Sequence, residues 1–276
     1  MAHPQIAAFA RLAEGNAKAT RKIEGQKTLL GRTMHAIHYD AIHDEIVVPQ
    51  PFAQAILTFR GDTDGEVAPL RIIAGLRTGL VNPDKLTIDP VNNEILVPQG
   101  DSVLVFSREA QGNVEPIRVL QGPDTQLGAS ELAVDPVHNL LIVAGRGETE
   151  GEGSALRIFN RTAEGNVKPR TVISGPNTGL NRTSRISVYS PRGVVFVSVP
   201  GPGTGPGERS SSDASFVGVW NYLQDQGDVP PRWKIGGPQG MLRQPRGVTY
   251  DAKNKTVIVS DKHLNAVMTY YFPEIF

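Results

Sequence analysis

A single phrase, repeated along the chain, limits what it can fold into. The phrase reads ALRIFNRTAEGNVKPRTVISG from Ala155 to Gly175, and variants of it begin at Ile6, Ala55, Ser102 and Phe216, with a sixth, AVMTYYF, at Ala266. Between these copies lies a second phrase that aligns on Asp40, Asp89, Asp135, Tyr189 and Asp251, recurring every 46 to 62 residues. A period of that length suits four-stranded propeller blades and is too long for leucine-rich or ankyrin units.

Each second phrase reads as two short strands. Leu86 to Asp89 is followed by the turn PVNN and then by EILVPQ; in the next copy LAVD, PVHN and LLIVA repeat the pattern. Apolar residues alternate or run in short blocks, as half-buried and buried strands require. The unit therefore has an inner strand ending at the Asp, a second strand such as EILV, a third such as VLVF and an outer strand such as IRVLQG. Gly-Asn at 15–16, 112–113 and 165–166, and Gly227-Asp228, predicts a type II′ hairpin between third and outer strands, because its first central position needs φ > 0. Pro69, Pro116, Pro169 and Pro231 stand at the mouth of the outer strand, where a missing N–H costs little at a sheet edge.

The expected fold class is all-β, a β-propeller of four-stranded antiparallel blades filling residues 1–276 as one domain. With 276 residues, 29 Gly and 21 Pro, the chain is turn-rich and long enough for such a domain. Five inner strands, six third strands and five outer strands are counted. Five or six blades are possible. In the first arrangement the outer strand near Arg21 to Glu24 completes the C-terminal blade, so that N- and C-terminal strands pair to close the ring and Ile6 to Arg11 is surplus. In the second the N-terminal hairpin stands as a partial sixth blade. In the third the surplus strand pairs with another chain, giving self-association.

Lys and Arg number 28, as do Asp and Glu, so the net charge is zero. Evenly mixed signs argue against nucleic acid or an acidic membrane as an electrostatic partner. No apolar run reaches a membrane-spanning length. With no cysteine there is no thiolate nucleophile, disulfide or Cys-based metal site. The start MAHPQIAAFA shows no signal peptide, so the expectation is a cytoplasmic protein, or an extracytoplasmic one if an upstream export segment was removed.

The phrase Pro245-Arg246-Gly247-Val248-Thr249-Tyr250-Asp251, followed by NKTVIVSD and a third strand, resembles the NHL family of β-propellers and the wider six-bladed TolB-like group. The G-N-V-x-P-x-R-x-I-x-G outer strand is similar to that of bacterial members. The resemblance covers nearly the whole chain and implies the fold. It leaves function open, because such propellers serve as binding platforms, lyases and lactone hydrolases alike.

Function in a propeller is expected where inner strands begin, around the channel mouth. His35, Asp84, Lys85, Glu131, Arg185 and Arg246 fall there and make that end unusually charged. One reading is a pocket for an anionic or polar ligand; the other is a set of ion pairs plugging the channel. His35, His38 and His43 lie close together, yet strand parity turns the first two to different faces and puts the third in a turn, so no metal site is expected. Asp62-Thr63-Asp64-Gly65-Glu66 lacks the further acidic ligands of a calcium loop. The recurring inner-strand Asp is expected to cap its turn. Glu131 and Asp84 could serve a lactone-hydrolase calcium ion, but Lys85 and Arg185 would repel it. Insertions at GRGETEGEGS from Gly145 and GPGTGPGERSSSD from Gly201 leave from the same inter-strand position and suit a partner-contacting face. The expectation is a non-catalytic binding or scaffold protein with a protein partner and no cofactor; the alternative is a lactone hydrolase or lyase, with or without a metal, at the channel mouth.

Overall fold

The chain was analysed as a computed structural model, which describes residues 4–32, 34–147, 153–201 and 214–276. Half of the first insertion, at 148–152, and all of the second but Gly201, at 202–213, lie outside the described residues. All five inner phrases form strands, and each begins an antiparallel sheet. After the two-stranded sheet of β1 (Gln5–Ala8) and β2 (Arg21–Glu24) come β3 (His38–Asp40), β4 (Glu45–Gln50), β5 (Ala55–Arg60) and β6 (Arg71–Ala74), hydrogen-bonded in that order. The next sheet holds β7 (Thr87–Asp89), β8 (Glu94–Gln99), β9 (Ser102–Ser107) and β10 (Arg118–Gln121). Two more follow: β11 (Ala129–Asp135), β12 (Leu140–Arg146), β13 (Ser154–Asn160) and β14 (Thr171–Ile173), then β15 (Arg185–Tyr189), β16 (Val194–Val199), β17 (Phe216–Asn221) and β18 (Trp233–Gly236). The last sheet has three strands, β19 (Pro245–Asp251), β20 (Thr256–Asp261) and β21 (Ala266–Tyr271). The fold is all-β, a β-propeller, and among the described residues the one α-helix is the single turn α1 (Gly237–Gly240).

Two compact units divide the chain, Met1–Gln99 with Leu104–Val119 and Gly100–Val103 with Leu120–Phe276. In the first unit Ile6 and Ile23 pack on Val48, Leu57 and Phe59 of one face of β4–β5, and Val47 and Ile56 of the opposite face pack with Ile88, Ile95 and Phe106. In the second, Ile142 and Ile158 meet Val195 and Trp220, and Phe196 and Val219 meet Val248 and Val259. The middle strands of the four complete sheets are thus buried on both faces, which is why they read as near-continuous apolar runs.

Two expectations need correction. The pairing of N- and C-terminal strands does not form among the described residues: β1 and β2 pair with each other, and β19–β21 gains no fourth strand. Five sheets are built on inner strands, where the family resemblance implies six blades. Burial of Ile23 against β5 explains where β2 stays, since leaving would expose that side chain.

Nor is Gly-Asn a two-residue hairpin. β9 ends at Ser107 and β10 begins at Arg118, so Gly112 lies inside a longer loop. Gly112 donates its N–H to Ile72 O at 2.7 Å and accepts from Ala74 N–H at 3.1 Å, a parallel bridge to the outer strand of the preceding sheet. Gly65, Gly165 and Gly227 bridge Ile23, Leu120 and Ile173 in the same way. The positive φ was read correctly; the partner is the neighbouring blade.

The inner-strand aspartates do cap their turns. Asp40 Oδ1 accepts from Ile42 and His43 N–H at 2.9 and 3.0 Å, and Asp89, Asp135 and Asp251 repeat this within their own turns. His43 Nδ1 and His138 Nδ1 lie 2.7 and 2.6 Å from the same carboxylates, so both rings belong to turns.

Candidate functional site

The six charged positions fall into two groups, one in each unit. In the first unit His35 and Asp84 sit in the loops before β3 and β7 and are hydrogen-bonded through Nδ1 and Oδ1. Both are substantially solvent-exposed, so the pair contributes little to stability. Lys85 is half-buried at the start of the strand that leads to Thr87.

The second unit assembles the other three. Its inner strands β11, β15 and β19 lie next to one another, and Glu131, Arg185 and Arg246 stand at their starting ends. Register explains their placing: Glu131 pairs with Ala144 and Arg185 with Ser198, equivalent steps of the two sheets. Arg246 is the extra residue of a bulge between Pro245 and Gly247, matching Ser130 of β11. Bulges re-aim the side chain they carry, so Arg246 is exposed between buried Pro245 and half-buried Gly247.

Glu131 is 1% exposed, and its Oε2 lies 3.6 Å from Arg185 Nη1. That separation is a charge contact longer than a good hydrogen bond. The Ser198 hydroxyl ties the neighbouring strands together. It accepts from Arg185 N–H at 2.9 Å, and its proton has two carbonyls within reach, Arg185 O at 3.2 Å and Arg246 O at 3.4 Å.

A further cation joins this end. Arg182, in the loop before β15, has its pKa lowered by burial of its head and then by the positive charge of Arg246. Arg182 as a whole residue is exposed. Among the described residues the guanidiniums of Arg182, Arg185 and Arg246 therefore come to this end beside the buried carboxylate of Glu131. Arginine stays protonated at any working pH, and its planar fork fits carboxylate or phosphate oxygens. Beside Glu131 the Arg185 charge also opposes a divalent cation. Arg182 and Ser198 escape motif reading: Asn-Arg-Thr-Ser-Arg looks like connecting loop, although one serine inside VVFVSV was a visible signal.

At Asp62 and Asp64 the chain forms a loop. Asp62 is paired with Arg60 at 3.0 Å, and Asp64 Oδ1 accepts from Lys22 N–H at 2.8 Å. Among the described residues no helix is long and apolar enough to cross a membrane.

No family model and no curated protein matches the chain. Solved structures do match, 600 chains in all, a breadth that by itself selects no function. One of them, described as Kuenenia stuttgartiensis hydrazine synthase, superposes with a TM-score of 0.56 at 12% identity, over 82% of this chain and 55% of that one. The chain thus spans about half the length of that neighbour. A likeness at this identity shows the fold alone.

Proposed function

We propose that the chain is a non-catalytic binding protein of the NHL/TolB-like propeller kind, which holds an acidic stretch of a partner protein at the starting ends of β11, β15 and β19. The gathering of Arg182, Arg185 and Arg246 around buried Glu131 among the described residues carries this reading. An otherwise neutral chain concentrates positive charge there, and local potential steers partners more than net charge does. The repeated inner phrase and the aspartate-capped turns support the family assignment.

Polyglutamate serves as the probe in fluorescence anisotropy, with polylysine as the control. Binding to polyglutamate alone, weakening with salt, is expected. Reversing Arg182→Glu with Arg246→Glu is expected to weaken it about tenfold or more. Unchanged binding in that variant would sink the proposal. A stoichiometric divalent ion in purified protein, lost with Glu131→Ala, would instead favour a metal-dependent hydrolase or lyase.

A further inference from the structure

Every complete blade ends in an outer strand that is built to stay alone. β6, β10, β14 and β18 have only three or four residues, each has an Arg or Lys within it or directly before it, and Pro69, Pro116, Pro169 or Pro231 stands just ahead. Short length, charge and proline are the ordinary means by which sheet edges avoid pairing with other chains.

β21 has none of these protections. It is six residues long, Ala266–Tyr271, uncharged, free of proline and glycine, and rich in β-branched and aromatic residues. It is the third-strand copy, and every other third strand of a blade is followed in its sheet by an antiparallel outer strand. β21 is the edge of its own sheet among the described residues. Residues 272–276 add no strand to it, and Phe276 is held against Tyr189, Tyr250 and Phe196, with ring centroids 5.1 to 6.1 Å away.

The face beside this edge is also open. AVMTYY aligns with AILTFR of β5, and at the repeat position where Ile56 is 0% exposed, Val267 is 71% exposed. Thr58 is buried, whereas Thr269 is exposed. Tyr271, on the same side of the strand, is 72% exposed.

We propose that β21 is a dimerisation edge that pairs with β21 of a second copy of this chain. A two-fold axis through Thr269 makes the two strands antiparallel, the sense in which every complete blade joins its third and outer strands. It sets Val267 opposite Tyr271 of the second copy, and Tyr271 opposite its Val267. β-branched residues facing aromatic ones are favourable cross-strand pairs, and no charge on either strand opposes the contact. The result is a continuous six-stranded sheet, with both open edges removed.

Sedimentation equilibrium on the full chain tests this, with circular dichroism melts confirming that each variant folds. Wild type is expected to sediment with twice the mass of one chain. Val267→Glu with Tyr271→Glu places like charges across each pair and is expected to raise the dimer Kd about tenfold or more. Val267→Lys with Tyr271→Glu places opposite charges there and is expected to restore the dimer. A wild-type monomer at roughly 100 μM, a range in which even weak specific dimers assemble, would overturn the proposal. So would a dimer indifferent to both variants, or one broken only by Ala7→Lys in β1.

Discussion

Asn166 holds Asp124 of the preceding blade by two hydrogen bonds: its Oδ1 accepts the Asp124 backbone N–H at 2.7 Å, and its Nδ2 donates to Asp124 Oδ2 at 3.0 Å. One blade further on the residues are exchanged and the geometry is kept. Asp228 Oδ1 accepts from Asn177 N–H at 2.7 Å, and Asn177 Nδ2 donates to Asp228 Oδ2 at 2.8 Å.

The exchange makes a prediction that needs both residues. Asn166→Asp brings two carboxylates together and is expected to destabilise the chain by about 1 kcal/mol. Adding Asp124→Asn rebuilds the Asp228–Asn177 arrangement and is expected to recover most of that loss, as a coupled pair should. Urea melts of the four proteins measure the coupling. Additive losses would mean that the two side chains do not act as a unit.

Gly175 begins the tight turn that this contact secures. Its φ is +124°, and an added Cβ would come within 2.4 Å of Asp228 Cγ. Gly175→Ala therefore meets both backbone strain and a clash, and is expected to cost more than about 1 kcal/mol. Gly165→Ala is the control, since φ is also positive there but no atom lies within 4 Å of the added carbon. The loss at Gly165, read from the same melts, is expected to be smaller, because its φ of +64° is near the left-handed region that other residues reach and no clash is added.

These contacts show what the sequence revealed and what it withheld. Gly112 and Asn113 were visible as a positive-φ position and a polar side chain, yet their partners, Ile72 and Arg77, lie in the blade before. Local turn rules assign a residue to its own hairpin, because they contain no information about which blade packs alongside. The capping aspartates were legible because Asp40 and its partners Ile42 and His43 are all within three residues. At the candidate site Glu131, Arg185 and Arg246 were found by repeat alignment. Arg182 was missed, since its influence on Arg246 comes through space, and the Arg246 bulge depends on pairing with β20.

Asp135 takes part in more than its turn. The Tyr222 hydroxyl donates to its Oδ2 at 2.6 Å. Burial raises the Asp135 pKa, but hydrogen bonds from Tyr222, Ser190 and His138 outweigh it and leave the net shift downward. Burial, with Asp135 beside it, pushes the Tyr222 phenol up, so it remains a donor. A carboxyl lowered on folding gives stability that is complete above its unfolded value near 3.9 and is lost as pH falls through the lower folded value. Tyr222→Phe is expected to cost about 1 to 3 kcal/mol at neutral pH and less in strong acid. Urea melts across pH 2 to 7 read both; a loss that stays constant down the series would contradict this role.

Glu45 offers the sharper case, because its partners are charged. It is buried at the start of β4, where Arg71 Nη2 approaches Oε2 to 2.6 Å and Arg108 Nη1 to 2.9 Å. Burial raises its pKa, and the two guanidiniums, Arg71 foremost, bring it below the ordinary value. Its contribution is thus present above the unfolded value near 4.3 and disappears as pH drops through the folded one. Glu45→Gln keeps the shape but leaves two buried guanidiniums facing a neutral amide, and is expected to cost about 3 to 5 kcal/mol. Part of the acid-dependent loss seen in wild type should vanish in this variant, since the group that titrates has gone. Replacing Glu45, Arg71 and Arg108 together by Met should recover most of the stability, because it removes the desolvation cost along with the attraction. If the triple variant is as weak as Glu45→Gln, the cluster stabilises through packing and hydrogen bonds that methionine cannot replace, and charge pairing is not its main contribution.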